Sequence, residues 1–412
     1  MTMLRLLREF GSRVSNIRVG FRAMALNGKY VRLVCGVASV TAVMALAPRI
    51  DPRAHGGRAV PALVAVAHAA SASRTLYAVN QSSADRGSIS VYDIEGGHGR
   101  VKTIRTVAGV ADVKGVAASA ATGRLYVAYR TGSGVGMIYC LDVYTDAVVW
   151  NRAIDPDVDR LSISPDGRLL YVPTWEGGSA DHVNVLNADT GDVVRKVHFS
   201  NRSHDTLFPL SGPIFQETKA EDGSGHYLYL IDPASYAVSR IGPYAGILGP
   251  YAVDGMSRHV VNNVTGLWGM QVADIRTGRI VTASIADHPG GDPGLLHGIG
   301  WTPDEREVWE SSGYTDPHIY VWGMADPMAP TLKQRLPLRS RSGSHWVTFD
   351  IAGKHAYVAP VKNSDDGTEI FDVRSHASVG LIGSSEDMLE IDFADGKIRA
   401  VGDQFGIGRV VE

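Results

Sequence analysis

A hairpin anchored by an aromatic residue recurs along this chain at a nearly constant spacing, and this recurrence limits the folds that the chain can adopt. The clearest copy is LSISPDGRLLYVPT, residues 161–174. Leu161 and Ile163 alternate with serines, which is the pattern of a half-buried strand. A Pro-Asp-Gly turn follows, and a second strand then begins around Tyr171. The segment therefore predicts a strand, a tight turn and a second strand.

Residues in the same phase as Tyr171 mark the other copies of this hairpin. Successive copies are 43 to 49 residues apart, except for one step of 90 residues that spans a degenerate copy. Each hairpin is followed by a third strand-like run, a turn and a fourth run. A repeat of four strands in roughly 45 residues is typical of a β-propeller blade. The anchor positions are Tyr77, Tyr126, Tyr171, Val261, Trp309, Tyr357 and Ala400.

The repeats predict an all-β fold, a seven-bladed β-propeller of four-stranded antiparallel blades. We expect the run DMLEIDF, residues 387–393, to supply the missing first strand of the N-terminal blade. This arrangement closes the ring and removes its free sheet edges. The surplus tail, residues 397–412, has the length for two further strands, which leaves eight blades as the alternative. The first strands are predicted at 112–119, 158–164, 211–216, 249–254, 296–302, 344–350 and 387–393.

Three segments match the repeat motif of a known family: LSISPDGRLLYVPT, HGIGWTPDEREVWES and NVLNADTGDVV. With them the chain resembles the YVTN family of bacterial β-propellers over about residues 74–412. It departs from the family pattern at residues 205–245, where the Ser-Pro-Asp-Gly turn is missing. The resemblance implies a propeller. It does not specify a reaction, because the family includes scaffolds, binding modules and enzymes.

The first 72 residues have the composition of an export leader. Residues 1–32 contain seven Lys and Arg residues against the single acid Glu9, and residues 33–48 carry no charge. These 16 apolar residues fall short of the ~18–20 that a membrane-spanning helix needs. Small residues at 67–72 offer cleavage sites. We therefore predict a signal peptide at 1–72, with an uncleaved signal anchor as the alternative, and a periplasmic or secreted propeller at 73–412.

Composition excludes several classes of function. The net charge is −3 and the body of the chain has no basic run, so nucleic acid is not an expected partner. Contact with a membrane is expected only through an uncleaved leader. Beyond the leader only Cys140 remains, which excludes an intramolecular disulfide. The chain contains no Cys-x-x-Cys-His motif for c-type haem and no Gly-x-Ser-x-Gly elbow.

Candidate site residues occupy one repeat position on the inner strands. His297 and His345 fall at the same place in adjacent blades, and Asp159 falls there several blades away. Glu386 and Asp387 follow on the next blade. We expect these five residues at one end of the central channel. There they could hold a divalent metal or act as general bases. The resemblance implies an alternative, in which each histidine forms a hydrogen bond with the backbone of the neighbouring blade.

Three classes of function are compatible with these features. The first, which we favour, is an extracytoplasmic binding or scaffold module for a protein, peptide, polysaccharide or small molecule. The second is a channel-face enzyme of the lactonase or ring-opening type. The third is a scaffold subunit of a periplasmic quinoprotein-like redox complex. The sequence does not name the ligand.

Overall fold

The computed structural model describes residues 72–105, 107–220, 225–288, 290, 294, 296–314 and 316–411. Nearer the N-terminus it gives only the backbone of β1 (Phe21–Ala25), β2 (Val31–Cys35) and β3 (Val43–Met44), which pair as one antiparallel sheet. This sheet belongs to a separate compact unit. The rest of the predicted leader, including its cleavage sites, lies outside the described residues. Within the described part of the chain, no helix is long and apolar enough to cross a membrane.

The second compact unit is a seven-bladed β-propeller, as the repeats predict. Blades 2 to 7 are four-stranded antiparallel sheets whose strands follow one another in chain order from the channel outward, and the sheet of blade 1 has a fifth strand. Blade 1 takes β4 (Ser73–Asn80), β5 (Ile89–Asp93) and β6 (Gly99–Ile104). Blade 2 has β7 (Val110–Ser119), β8 (Arg124–Thr131), β9 (Gly136–Asp142) and β10 (Val148–Ala153). Blade 3 has β11 (Ser162–Ile163), β12 (Leu169–Pro173), β13 (His182–Asn187) and β14 (Val193–His198).

The remaining blades repeat this plan. Blade 4 has β15 (Ser203–Leu207), β16 (Ile214–Thr218), β17 (His226–Ile231) and β18 (Val238–Tyr244). Blade 5 has β19 (Leu248–Val253), β20 (His259–Val264), β21 (Gly269–Asp274) and β22 (Ile280–Ser284). Blade 6 has β23 (Ile299–Trp301), β24 (Glu307–Ser311), β25 (His318–Gly323) and β26 (Thr331–Pro337). Blade 7 has β27 (Ser344–Phe349), β28 (His355–Pro360), β29 (Thr368–Asp372) and β30 (Ser378–Ile382).

The C-terminal part of the chain closes the ring at blade 1. Here β31 (Ser385–Ala394) pairs antiparallel with β4, with Leu389 opposite Tyr77. The predicted closure by DMLEIDF is therefore confirmed. A last strand, β32 (Lys397–Val401), joins the same sheet beside β31. The tail thus adds one strand to blade 1 and forms no eighth blade.

The anchor residues form part of the core between the blades because removal of their large apolar side chains from water is favourable. Tyr77, Tyr126, Tyr171, Trp309 and Tyr357 are all buried. Tyr126 packs with residues of the next blade, such as Leu161 and Leu170, in one apolar cluster. Burial of an aromatic side chain of this size contributes roughly 1.5–3 kcal/mol. The repeated aromatic position is therefore a packing position.

Blade 4 departs from the sequence prediction. The run 211–216 was expected to be its first strand, but the channel strand is β15 (Ser203–Leu207), and residues 214–218 form the second strand. The prediction was wrong because β15, SHDTL, has four polar residues out of five and lacks the apolar alternation of the other repeats. All five residues are buried, so ion pairs and hydrogen bonds take the place of apolar packing in this strand.

The segment after β32 crosses one end of the channel. The side chain of Gln404 accepts a hydrogen bond from Val116 N (3.0 Å) and donates to Leu161 O (3.1 Å). Trp301 N donates to Gly406 O, and Gly408 N donates to Val253 O. These partners lie on the later part of the inner strands of blades 2, 3, 5 and 6. Segment 403–410 therefore covers the end of the channel towards which the inner strands run.

Candidate functional site

A polar cavity of about 180 Å³ lies at the other end of the channel, where the inner strands begin. Six of the seven blades contribute to its wall. Its lining is almost entirely polar, with three histidines and six charged residues of both signs. The lining residues are Val113, Lys114, Asp159, Arg160, Glu176, His204, His297, Tyr314, His345, Lys362 and Glu386.

Four of the five residues that the sequence singled out line this cavity. They are His297, His345, Asp159 and Glu386. The fifth, Asp387, is fully buried behind the wall and accepts a hydrogen bond from Nη1 of Arg160. The three residues of the repeat position and the two acids on the next blade therefore lie at one end of the channel. Whether they bind a ligand remains a prediction.

The two predicted histidines stack on each other. Their ring centroids are 3.7 Å apart and their planes differ by 22°. Nδ1–H of His297 donates to the backbone oxygen of His345 at 2.8 Å. A metal lies in the plane of the imidazole that binds it, so two nearly parallel rings cannot both point at one ion. This geometry disfavours a metal between them and matches the backbone contact that the resemblance implies.

Burial keeps both of these histidines neutral. It lowers the pKa of His297 well below its ordinary value, and the neighbouring His345 lowers it further. Burial also lowers the pKa of His345, although Nδ1 of that ring lies 2.8 Å from Oε1 of Glu386, whose charge acts in the opposite direction. A neutral imidazole can accept a hydrogen bond from a ligand at its unprotonated ring nitrogen.

Arg160 connects the cavity wall to blade 1. Its Nη2 donates to Oε1 of Glu386 at 2.5 Å, its Nη1 donates to Asp387, and its guanidinium lies 3.6 Å from the ring centroid of Trp346. Burial raises the pKa of Asp387. Burial acts in the same direction on Glu386, but its contact with the ring of His345 and the charge of Arg160 outweigh burial and lower the pKa of that carboxyl. Arg160 thus binds one carboxylate with each terminal nitrogen, and this fixes the position of Glu386 beside His345.

The sequence prediction missed a second charged cluster, on blade 4. Nδ1 of His204 lies 2.8 Å from Oε2 of Glu217 and 3.0 Å from Oδ1 of Asp205. Nζ of Lys219 lies 2.9 Å from Oε1 of Glu217. Burial acts to lower the pKa of His204, but Asp205 and Glu176 raise it well above its ordinary value. His204 is therefore an imidazolium ion. The sequence feature that could have indicated this cluster is the polar run SHDTL, residues 203–207, which is not followed by an aromatic residue at the anchor position.

Two oppositely charged groups at the cavity are weakly paired. Nζ of Lys114 lies 3.4 Å from Oδ2 of Asp112 and 3.8 Å from Oδ1 of Asp159, and it makes no hydrogen bond within the described residues. The carboxylate of Glu176 lies 4.0 Å from His204 and 3.9 Å from Lys219. Burial raises the pKa of Asp159 to about 6. The cavity thus presents an available ammonium group, an available carboxylate and a carboxyl group that titrates near neutrality.

Comparison with known proteins supports the propeller architecture but does not indicate a reaction or a ligand. No family model matches the sequence, and no curated protein matches it. Hydrazine synthase of Kuenenia stuttgartiensis aligns at 15% identity and a TM-score of 0.54, over 73% of this chain and 97% of that one. The likeness is one of fold.

Two further solved structures extend this comparison. A 6-phosphogluconolactonase candidate from Bacteroides fragilis aligns at 11% identity and a TM-score of 0.57, over 78% of this chain and 98% of that one. The propeller domain of Cps50 (Swd1) from Myceliophteria thermophila aligns at 16% identity and a TM-score of 0.53, over 72% and 97%. Proteins with such different names share only the propeller, so function must be argued from the site.

Proposed function

We propose that this protein is an extracytoplasmic binding module of the YVTN type that takes a small polar ligand into the channel cavity. The observation that carries the proposal is the cavity itself, whose wall comes from six blades. We expect a ligand to enter from the cavity end of the channel, because segment 403–410 covers the other end. The leader composition supports export, which remains a proposal.

The size and lining of the cavity narrow the class of ligand. Ligand pockets for drug-sized molecules hold about 300–1,000 Å³ and are mostly apolar. This cavity is smaller, at about 180 Å³, and nearly all of its lining is polar. It therefore favours a compact ligand rich in hydroxyl or charged groups over a large aromatic cofactor or a folded protein partner.

The weakly paired groups define what the ligand must offer. Lys114 makes no hydrogen bond to a described residue, so its ammonium group can donate to a ligand. The carboxylate of Glu176 can accept hydrogen bonds from the same ligand. Tyr314 is more than half exposed, and its ring lies edge-on to His345 at 5.6 Å. Together they suit a sugar acid or an amino acid, which carries an acceptor group and donor groups within a few ångströms of each other.

A thermal-shift panel tests this proposal. The panel contains monosaccharides, sugar acids, amino acids and polyamines, each titrated against the wild type and against Lys114→Met and Glu176→Gln. We expect at least one sugar acid or amino acid to raise Tm in the wild type and to lose most of that effect in both variants. Lys196→Met is the matched control, because Lys196 lies on the outer strand β14 and is exposed. A ligand that stabilises all four proteins equally would contradict binding in the cavity.

A second function, hydrolysis at the same cavity, has one observation in its favour. Asp159 has a pKa of about 6, so it can exchange a proton near neutral pH, and the ammonium group of Lys114 lies beside it. A proton donor next to a cation is the arrangement that general acid catalysis uses. NMR of a bound ligand over hours separates the two functions, since an enzyme converts the ligand and a binding module returns it unchanged.

A further inference from the structure

We propose that His204, Asp205 and Glu217 bind one divalent transition-metal ion beside the channel cavity. The three residues come from blade 4, His204 and Asp205 from β15 and Glu217 from β16. All three are buried, and their potential ligand atoms lie within 4.8 Å of one another. This inference does not rest on the proposed function, because an ion can bind here whether or not an organic ligand enters the cavity.

The distances between the donor atoms fit a shared ion. Nδ1 of His204 is 3.0 Å from Oδ1 of Asp205 and 2.8 Å from Oε2 of Glu217. Ligands bound at about 2.1 Å in octahedral geometry are about 3.0 Å from their neighbours. The ion would take the place of the proton between the ring and the two carboxylates. The remaining positions of the ion would hold water.

Asp205 gives an independent reason to expect a cation. It is fully buried, and neither of its carboxylate oxygens makes a hydrogen bond with a described residue. Its Oδ1 faces the cluster, since it lies 3.0 Å from Nδ1 of His204, while Nε of Arg160 is 3.8 Å away. A buried carboxylate without hydrogen bonds is costly. Coordination of a metal satisfies such a group.

The balance of charge around the cavity points in the same direction. Seven carboxyl groups meet five basic groups, so full ionisation leaves a surplus of two negative charges even with His204 protonated. Burial raises the pKa values of Asp159 and Asp387, which lets protons offset this surplus. A divalent cation that displaces the proton of His204 would add one net positive charge and so halve this surplus. The groups are Asp112, Asp159, Glu176, Asp205, Glu217, Glu386 and Asp387 against Lys114, Arg160, His204, Lys219 and Lys362.

The donor set indicates which ions would bind. One imidazole and two carboxylates suit Mn²⁺, Fe²⁺ and Zn²⁺ better than Mg²⁺, for which oxygen donors are preferred. For such donors the affinity rises from Mn²⁺ towards Zn²⁺. We therefore expect Zn²⁺ to bind more tightly than Mn²⁺, and Mg²⁺ to bind weakly.

A second histidine cluster could also bind the added metal ions, so it must be removed by substitution before the titration. Asp181 and His198 are exposed, and Nδ1 of His198 lies 3.0 Å from Oδ1 of Asp181, with His182 adjacent. These residues lie on the outer half of blade 3. The double variant His182→Ala/His198→Ala removes two of the three ligands and leaves blade 4 unchanged.

Isothermal titration of ZnCl₂ and MnCl₂ into this chelator-treated double variant tests the proposal. We expect one Zn²⁺ per chain.

Added substitutions in the same background locate the ion. Glu217→Gln and His204→Gln should each weaken Zn²⁺ binding by at least tenfold. His345→Gln should not, because that histidine lines the cavity without belonging to the cluster. Circular dichroism melts check the fold, and Asp205→Asn replaces either variant that fails to fold. Absence of Zn²⁺ binding in the double variant, or unchanged affinity in the Glu217 and His204 variants, would overturn the proposal.

Discussion

The three histidines that line the channel cavity differ in charge, and the residues around each ring determine whether it is neutral or protonated. His297 and His345 face each other and are neutral, since burial lowers both pKa values. His204, on another blade, lies between two carboxylates that outweigh the same burial and keep it protonated. A neutral ring can accept a hydrogen bond at one nitrogen, whereas a protonated ring can only donate hydrogen bonds.

The raised pKa of Asp159 predicts how stability changes with pH. In the unfolded chain this carboxyl ionises near pH 4, whereas in the folded protein its pKa is about 6. Between these values the folded state binds more protons than the unfolded state, so the free energy of unfolding falls as pH rises. Above about pH 6 this loss is complete, on the order of 2–3 kcal/mol.

Asp159→Asn should remove that dependence. Relative to the wild type, the variant should gain stability as the pH rises from about 4 to 6, and the gain should then stay constant to pH 8. Urea unfolding of both proteins at half-unit pH steps measures the difference. A difference that does not change with pH would show that Asp159 titrates normally in the folded protein.

The contact made by His297 predicts a modest loss of stability. His297→Ala removes the hydrogen bond to the backbone oxygen of His345 and the stacking between the rings. That oxygen still accepts a hydrogen bond from Gly298 N, so we expect a loss of about 1–2 kcal/mol, near the lower end for such a deletion. Denaturant unfolding measures this loss, and Lys196→Ala on the exposed face of β14 provides the control. An unchanged midpoint would mean that the contact contributes little.

The repeat spacing in the sequence was sufficient to bring five site residues together but could not define their contacts. A period places a residue on an inner strand, and this is why His297, His345 and Asp159 were found. Side-chain rotamers decide that the two histidines stack and that Asp387 turns towards Arg160. His204 was missed for a different reason. Its strand lacks the apolar alternation that set the period, because charged groups pair with one another there.

At the scale of elements, the C-terminal part of the chain has two separable tasks. The strand β31 completes blade 1 through its pairing with β4, and segment 403–410 covers the end of the channel. Phe405 and Ile407 of that segment are buried in the largest apolar cluster together with Trp346. The sequence predicted the first task from the position of DMLEIDF. It did not predict the second, because an irregular segment that crosses several blades leaves no periodic pattern.

Two truncations should distinguish these tasks. Deletion of 402–412 leaves every blade complete, so we expect a folded protein with a lower Tm. Deletion of 385–412 also removes β31, exposes the edge of β4 and should give an aggregated or protease-sensitive product. Size-exclusion chromatography and limited proteolysis of both truncations test this difference. A soluble product of the longer deletion with the wild-type Tm would mean that β31 is not needed to close the ring.

At the scale of the whole molecule, the propeller begins where the predicted leader ends. The strand β4 starts at Ser73, which pairs with Phe393, so cleavage before Ser73 would leave blade 1 intact. The single cysteine of this unit, Cys140, is buried, and burial raises the pKa of its thiol to about 12. Such a thiol is almost entirely protonated near neutral pH and is therefore unreactive towards oxidants. A propeller of this kind can fold in an oxidising compartment without forming disulfides.

The predicted leader also leads us to expect that the propeller is exported from the cytoplasm. We expect the mature chain to start within residues 66–74 and to accumulate outside the cytoplasm, because a basic segment followed by a short apolar one directs secretion and small residues at 67–72 permit cleavage. N-terminal sequencing of the protein from the periplasmic fraction measures the start. A full-length chain that sediments with the membrane would instead support the signal anchor. A full-length chain in the cytoplasm would exclude both forms of export, while binding of a small ligand in the channel would remain to be judged by the thermal-shift panel.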